Sequence, residues 1–290
     1  MSARAHRLSD FLELTKPRLS ALVLVTTAAG YWLGMRTRDQ WRVFLPTLIG
    51  TALVVGGANA LNQWMERVPD GLMRRTQRRP LPSGRLAPEA ALRFGVWLSV
   101  AGLVYLAVAV NLLSALLAAI SWASYLLLYT PLKPRTSLCT LIGAIPGALP
   151  PMIGWAGARG ALGCEAWALF AILFVWQLPH FLALAVLYRD DYRRAGFQML
   201  PVTEPDGWST ARQTVLYGLA LVPLSLFPTP LGLAGSAYFC TALTLSLAFL
   251  ALAMRAAWRR SPQSAARLFH ASVLYLPLLL TVLAFDKTPL

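Results

Sequence analysis

From residue 19 onward the chain alternates long apolar stretches with short polar turns. Nine of the stretches are long enough, or nearly so, to cross a hydrocarbon core that takes about 20 helical residues. They fall at residues 19–35, 43–62, 94–110, 112–129, 138–155, 166–188, 215–231, 233–255 and 268–285. The third and fourth run together except around Asn111, and Pro223, Pro228 and Pro230 interrupt the seventh, so the count depends on those two places.

The turns between the stretches are sorted by charge. With the first residues inside, the inner loops carry 21 of the 26 Lys and Arg residues and the outer ones 5. Such an excess marks the cytoplasmic side of a membrane protein. The pattern therefore predicts an all-α polytopic membrane protein, a bundle of nine transmembrane helices with a cytoplasmic N-terminal segment over residues 1–18. The whole of 1–290 reads as one domain whose active cavity opens to the cytoplasmic side.

Composition agrees with that pattern. The 290 residues are 57% hydrophobic and only 13% charged, too apolar for a soluble domain of this length. A net charge of +14 would suit nucleic acid, but the basic residues lie in the turns, where membrane orientation accounts for them and no nucleic-acid partner is expected. Cys139, Cys164 and Cys240 show no paired spacing, which argues against a disulfide framework or a zinc site. The N-terminal segment lacks a small-residue cleavage site before the first apolar stretch, so no removable signal peptide is expected.

Chemistry concentrates in two inner turns. In the first, Asn62, Glu66 and Asp70 recur at four-residue steps, which on a helix puts their oxygen-bearing side chains on one face. Arg74, Arg75, Arg78 and Arg79 follow, closed by Pro80 and Pro82. Hard oxygens next to guanidinium forks suit a magnesium-bridged polyphosphate; a basic loop that only fixes topology is the alternative. The second turn holds Asp190, Asp191, Glu204 and Asp206, so these two turns carry 6 of the 12 acidic residues. Both begin where an apolar helix runs out toward the inner side, a weak internal repeat that would set two carboxylate clusters around one cavity.

The row at Asn62, Glu66 and Asp70 resembles the first acidic motif of the UbiA-type intramembrane prenyltransferases. Asp70, Met73, Arg75, Thr76, Arg79, Pro80, Pro82 and Gly84 together are similar to the pattern of their heme O synthase branch. LTKPRLS from Leu14, YTPLKPRT from Tyr129, GAIPGALPPMIGW from Gly143, WQLPHF from Trp176 and YRDDYRRAGFQMLP from Tyr188 extend the likeness over nearly the whole chain. The resemblance implies a nine-helix bundle in the cytoplasmic (inner) membrane that uses Mg²⁺ to join farnesyl diphosphate to a vinyl carbon of protoheme IX. It also implies a partner in oxidase assembly, such as a heme A synthase.

On that resemblance Asn62, Glu66, Asp70, Asp190 and Asp191 are the candidate catalytic residues, with Asn62, Glu66, Asp70 and Asp191 holding metal. An allylic diphosphate ionises only if positive charge awaits its leaving group, which makes Arg75, Arg79, Lys133 and Arg135 candidate diphosphate contacts. The second acidic turn departs from the simplest family pattern of two aspartates four apart, since Arg194 and Ala195 follow Asp190 and Asp191 at that spacing. His180, within the sixth stretch, is either a heme-binding residue or a hydrogen-bonded structural histidine, and His270 is a weaker candidate. Trp64, Tyr125, Tyr129, Trp176 and Tyr188 either shield a carbocation or simply pack. Two competing functions remain: a prenyltransferase for an aromatic quinone precursor, and a transporter, against which the placement of acids at helix ends argues.

Overall fold

The computed structural model describes residues 3–204 and 206–288. Among them the chain is helical, with a lone antiparallel bridge between Ala234 and Lys287. After a short N-terminal helix, Ala3–Leu14, come the long helical stretches α1 (Pro17–Gly34), α2 (Trp41–Met65), α3 (Pro88–Ala109), α4 (Leu112–Leu132), α5 (Cys139–Arg159), α6 (Cys164–Leu187), α7 (Trp208–Leu226), α8 (Ser236–Arg259) and α9 (Pro262–Phe285).

Seven of these, α2 to α6 with α8 and α9, are long and apolar enough to cross a membrane. The expectation of nine crossings is met to that extent only. Arg18, Ser20, Thr26 and Thr27 dilute α1, and Ser209, Thr210, Arg212 and Gln213 dilute α7. The two doubtful places resolve in physical terms. Asn111 separates α3 from α4 because its side chain caps α4, accepting from Ser114 N at 2.8 Å. The seventh helix runs earlier than its predicted 215–231, since Pro228 and Pro230 fall in the turn that follows it.

Each long helix packs on the next, and α9 returns to α1, so the bundle closes into a ring. The most extensive contacts across the ring are those of α1 along α5 and of α6 along α9. The first has a specific cause. A Cβ on Gly30 would land on the Pro151 carbonyl, and one on Gly154 would land on the Thr27 carbonyl. Small residues that let two backbones touch are a main means of holding helices together in lipid, where no hydrophobic force does so. The α2–α3 contact repeats the device, with Gly102 against Val54 N at 2.7 Å for an added Cβ. Around α6 to α9 the core is larger and apolar, centred on Leu169, Leu221, Tyr238, Leu279 and Leu283.

Two helices bend where chemistry is expected. Pro146, Pro150 and Pro151 divide α5 at Leu149. In α4, residues Ser124–Tyr129 form a π-turn, a widening often found at functional positions.

Gly154→Leu should force α1 off α5 and lower thermal stability by about 3 kcal/mol or more, close to the upper range for overpacking. Gly56→Ala, whose Cβ would meet Thr15 at 3.4 Å and Leu98 at 3.7 Å, ordinary contacts, should be near neutral. Thermal unfolding of both variants in detergent checks this, and equal melting temperatures would refute the seam.

Candidate functional site

The expected helical row survives past the end of α2. Although α2 ends at Met65 and a short helix, Arg67–Leu72, takes over, Glu66 N donates to Asn62 O at 2.9 Å and Asp70 N to Glu66 O at 2.8 Å. The four-residue step is thus kept across the junction, and Asn62, Glu66 and Asp70 are all buried.

Each of the three meets a cation from a different part of the chain. Lys16 Nζ donates to Asn62 Oδ1 at 3.0 Å, Lys133 Nζ to Glu66 Oε1 at 2.6 Å, and an Arg79 Nη to Asp70 Oδ2 at 2.7 Å. A buried carboxylate without a partner is costly, so these pairings answer the desolvation of the row. Lys16 is presented by a left-handed backbone, φ 49°, immediately before Pro17 starts α1. Burial, and next the Arg79 guanidinium, lower its ammonium from the usual lysine range to about 7. For Lys133 burial also opposes the charge, but the Glu66 carboxylate together with Tyr129 and Tyr125 outweighs it and holds the ammonium above its ordinary value. Its Nζ lies 4.6 Å from the Tyr129 ring centre and 5.4 Å from that of Phe197, cation–π contacts that add to the pairing.

The π-turn of α4 feeds the same cluster. Thr130 Oγ1 donates to Tyr125 O at 2.9 Å and accepts from Asn62 Nδ2 at 3.1 Å, while Tyr125 and Tyr129 stack with centres 5.7 Å apart.

The second acidic turn splits its pair. Asp191 faces inward and accepts from the backbone N–H of Arg74 at 3.3 Å and of Arg75 at 3.4 Å, with Arg194 as ion-pair partner. Asp190 faces out, its side chain 83% exposed beside Arg193. The loops that follow α2 and α6 are therefore in direct contact, as one shared cavity requires.

The remaining candidates lie further out. Arg75 is exposed, with its guanidinium 5.1 Å from the Tyr188 ring centre. Arg135 is exposed and forms no ion pair among the described residues. His180 sits between α6 and α9, stacked by Trp176 and Phe269 at 5.3 and 4.9 Å, with Nδ1 on Ser272 Oγ at 2.7 Å. His270 bonds the Ala266 carbonyl on its own helix at 2.7 Å. Lys16 and Thr130 are the site residues that sequence reasoning passed over. Their only local signals are a lysine directly before a helix-starting proline, and a threonine opening the YTPLKPRT motif.

No group of three or more His, Cys, Asp or Glu residues gathers closely enough to hold a metal ion among the described residues. The row nevertheless fits a hard cation. Asp70 Oδ1 is buried and has no hydrogen-bond partner, an oxygen left over after Arg79 takes the other. Asn62 and Glu66 on the same face complete an oxygen donor set of the kind Mg²⁺ prefers.

Fold and site together define an all-α integral membrane protein with a centre of paired carboxylates and cations at one end of the bundle. The chain belongs to the UbiA prenyltransferase family, whose model matches residues 23–277. It is 52% identical to a protein named protoheme IX farnesyltransferase from Solibacter usitatus, over 96% of this chain and 98% of that one. It is 46% identical to another of that name from Myxococcus xanthus, over 100% and 99%. The same fold occurs in a solved structure described as digeranylgeranylglyceryl phosphate synthase in membranes, with a TM-score of 0.81, 18% identity and coverage of 96% and 98%. It occurs again in a UbiA homolog from Archaeoglobus fulgidus bound to GPP and Mg²⁺, with a TM-score of 0.65, 18% identity and coverage of 94% and 99%.

Arg79→Ala should leave Asp70 buried with neither oxygen paired and cost about 3–5 kcal/mol, and adding Asp70→Asn should recover part of the loss. Unfolding of the single and double variants without ligand measures this. Losses that simply add would mean the pair is not coupled.

Proposed function

We propose that this enzyme transfers the farnesyl group of farnesyl diphosphate to a vinyl carbon of protoheme IX, giving heme O. The observation that carries the reading is the row of three oxygen side chains, each answered by its own cation, beside a buried carboxylate oxygen without a partner. High identity over whole chains to proteins named for this reaction supports the choice of acceptor. The UbiA homolog bound to GPP and Mg²⁺ supports the choice of metal.

Asn62, Glu66, Asp70 and Asp191 are the residues that would hold Mg²⁺. When bound, the ion neutralises charge on the departing diphosphate. Lys16, Lys133 and Arg79, which here pair with Asn62, Glu66 and Asp70, would be the cations that meet the phosphate oxygens. The arginine binds as a fork and the lysines as point charges. Arg75 and Arg135 stand at the outer rim as later contacts, and outward-facing Asp190 takes no part. In the reaction the C1–O bond breaks and its electron pair leaves with the diphosphate. The vinyl π pair then forms the new carbon–carbon bond, and water adds to the resulting porphyrin-side cation with loss of a proton. The stacked Tyr125 and Tyr129 offer π faces to the allylic cation. His180, its Nδ1 fixed by Ser272, presents its other nitrogen to the heme side. We read the protein as lying in the cytoplasmic membrane with the site on the cytoplasmic face, on the strength of the charge asymmetry.

Incubating the purified protein with protoheme IX, farnesyl diphosphate and Mg²⁺ should yield a porphyrin heavier by one farnesyl group and one hydroxyl group in mass spectrometry. A prenylated hydroxybenzoate formed in parallel, with heme unchanged, would overturn the acceptor. Asp70→Asn and Glu66→Gln should each lower turnover by about 10²-fold or more while the protein stays folded, the scale of losing one preorganised charge-stabilising group. Chelation by EDTA should act likewise, and near-normal rates would sink the metal assignment. His180→Ala should weaken heme binding or shift the heme absorption spectrum. An unchanged spectrum and affinity would leave the histidine a packing residue between α6 and α9.

A further inference from the structure

A cavity lies where α6 to α9 meet, toward the end of α6 that leads into Asp190 and Asp191, and none of the Asn62, Glu66 and Asp70 row lines it. Its volume is about 120 Å³, against the ~10–15 Å³ that a single water needs. Leu182, Val186 and Leu268 form apolar wall, while Arg189, Thr210 and Arg260 line it as well.

Two donors there have nothing to bond. Arg189 Nε and Thr210 Oγ1 are both buried with no hydrogen-bond partner, and Thr210 is only 7% exposed. Elsewhere on the helices Thr47, Thr51 and Thr214 spend their hydroxyls on the carbonyl four residues back, so the idle hydroxyl of Thr210 stands out from its neighbours. Buried polar groups in native proteins are nearly always satisfied, and an unsatisfied one asks for a ligand, water or ion. The acids of the cavity do not answer them. Glu204 accepts from Ser209 N and Thr210 N at 2.9 and 3.1 Å, and Asp206 Oδ1 accepts from Trp208 N at 3.3 Å, so both serve the start of α7. Arg260 lies 4.2 Å from the Trp208 ring centre and donates to Asp206 O at 3.2 Å, which holds its guanidinium at the mouth.

We propose that this cavity binds the phosphate of an anionic membrane lipid. Arg189 and Thr210 would take the phosphate oxygens, Arg260 would stand over the mouth, and the Leu182, Val186 and Leu268 wall would take the start of the acyl region. Basic pockets between membrane helices hold anionic head groups in this way. The apolar wall directly beside the donors favours a lipid over free phosphate, which has no apolar part to bury. The proposal does not depend on the identity of the prenyl acceptor, because the residues it uses are other than those assigned to metal, diphosphate or heme.

The test compares the full chain in nanodiscs of phosphatidylcholine, with and without phosphatidylglycerol. Ligand binding to the folded state alone raises stability, and for a chain of this size the glycerol lipid should raise Tm by about 3–6 °C. Thr210→Val, nearly the same shape, and Arg189→Gln should each lose most of that gain, and native mass spectrometry should show fewer retained phosphatidylglycerol molecules on both. Should Arg189→Gln fail to fold, Thr210→Val carries the comparison alone. No gain in the wild type, or an undiminished gain in Thr210→Val, would overturn the proposal. An equal gain from inorganic phosphate in pure phosphatidylcholine would overturn the lipid as its source.

Discussion

Burying acid at the end of a membrane helix is what the rest of this molecule must accommodate. Asp70 and Glu66 lie where water is scarce, and an ionised carboxylate there is tolerable only with an opposite charge in contact. The chain brings cations to the row from three separate places: Lys133 of the α4–α5 loop to Glu66, Arg79 of the turn after Asp70 to Asp70, and Lys16 before α1 to the Asn62 amide oxygen. No single segment can build the centre. The fold is therefore held to whatever arrangement brings Lys16, Lys133 and Arg79 to one row, and charge balance, more than shape, decides how the loops lie.

The helices meet that demand by being rigid where they cross. Direct backbone contact at Gly30 with Pro151 and at Gly154 with Thr27 fixes α1 against α5, and so fixes Lys16 relative to the loop that carries Lys133. The N-terminal helix adds a brace from outside. Arg85 pairs with Asp10 and Glu13 and also donates to Arg78 O at 2.9 Å, tying the segment before Lys16 to the loop bearing Arg79. Apolar contacts of Leu14, Ala60, Leu81 and Leu86 lie beneath that brace. A left-handed lysine costs on the order of 1–3 kcal/mol, and it persists because both neighbouring segments are held this firmly.

Much of this was legible in the residues. The four-residue acidic row and the apolar stretches are local or additive properties, and they carried directly into helix positions and into the burial of Asn62, Glu66 and Asp70. What was not legible depends on contacts between distant segments. Lys16 reaches Asn62 across 46 positions, and nothing in its own surroundings says which side chain it will meet. The sequence could not choose between Asp190 and Asp191 because both are adjacent, and only the turn of the short helix Arg189–Arg194 sends one in and one out. Arg135 looked as eligible as Lys133 for the same reason. The π-turn of α4 was invisible too, since the widening that frees Thr130 for Asn62 is a property of packing and not of composition.

The contact of Asp191 with the first loop has a consequence in time. Arg74 and Arg75 offer their backbone N–H groups to a carboxylate that lies 117 and 116 positions later in the chain. A ribosome adding about 5–20 residues each second delivers that acceptor only some 6–23 seconds after the loop itself has been made. Through that interval α3 to α6 are made while the loop still lacks its clasp. The polar centre is thus closed late in synthesis, by the segment that follows α6, and a nascent chain stalled before that point exposes an arginine-rich loop to any protease at the membrane surface.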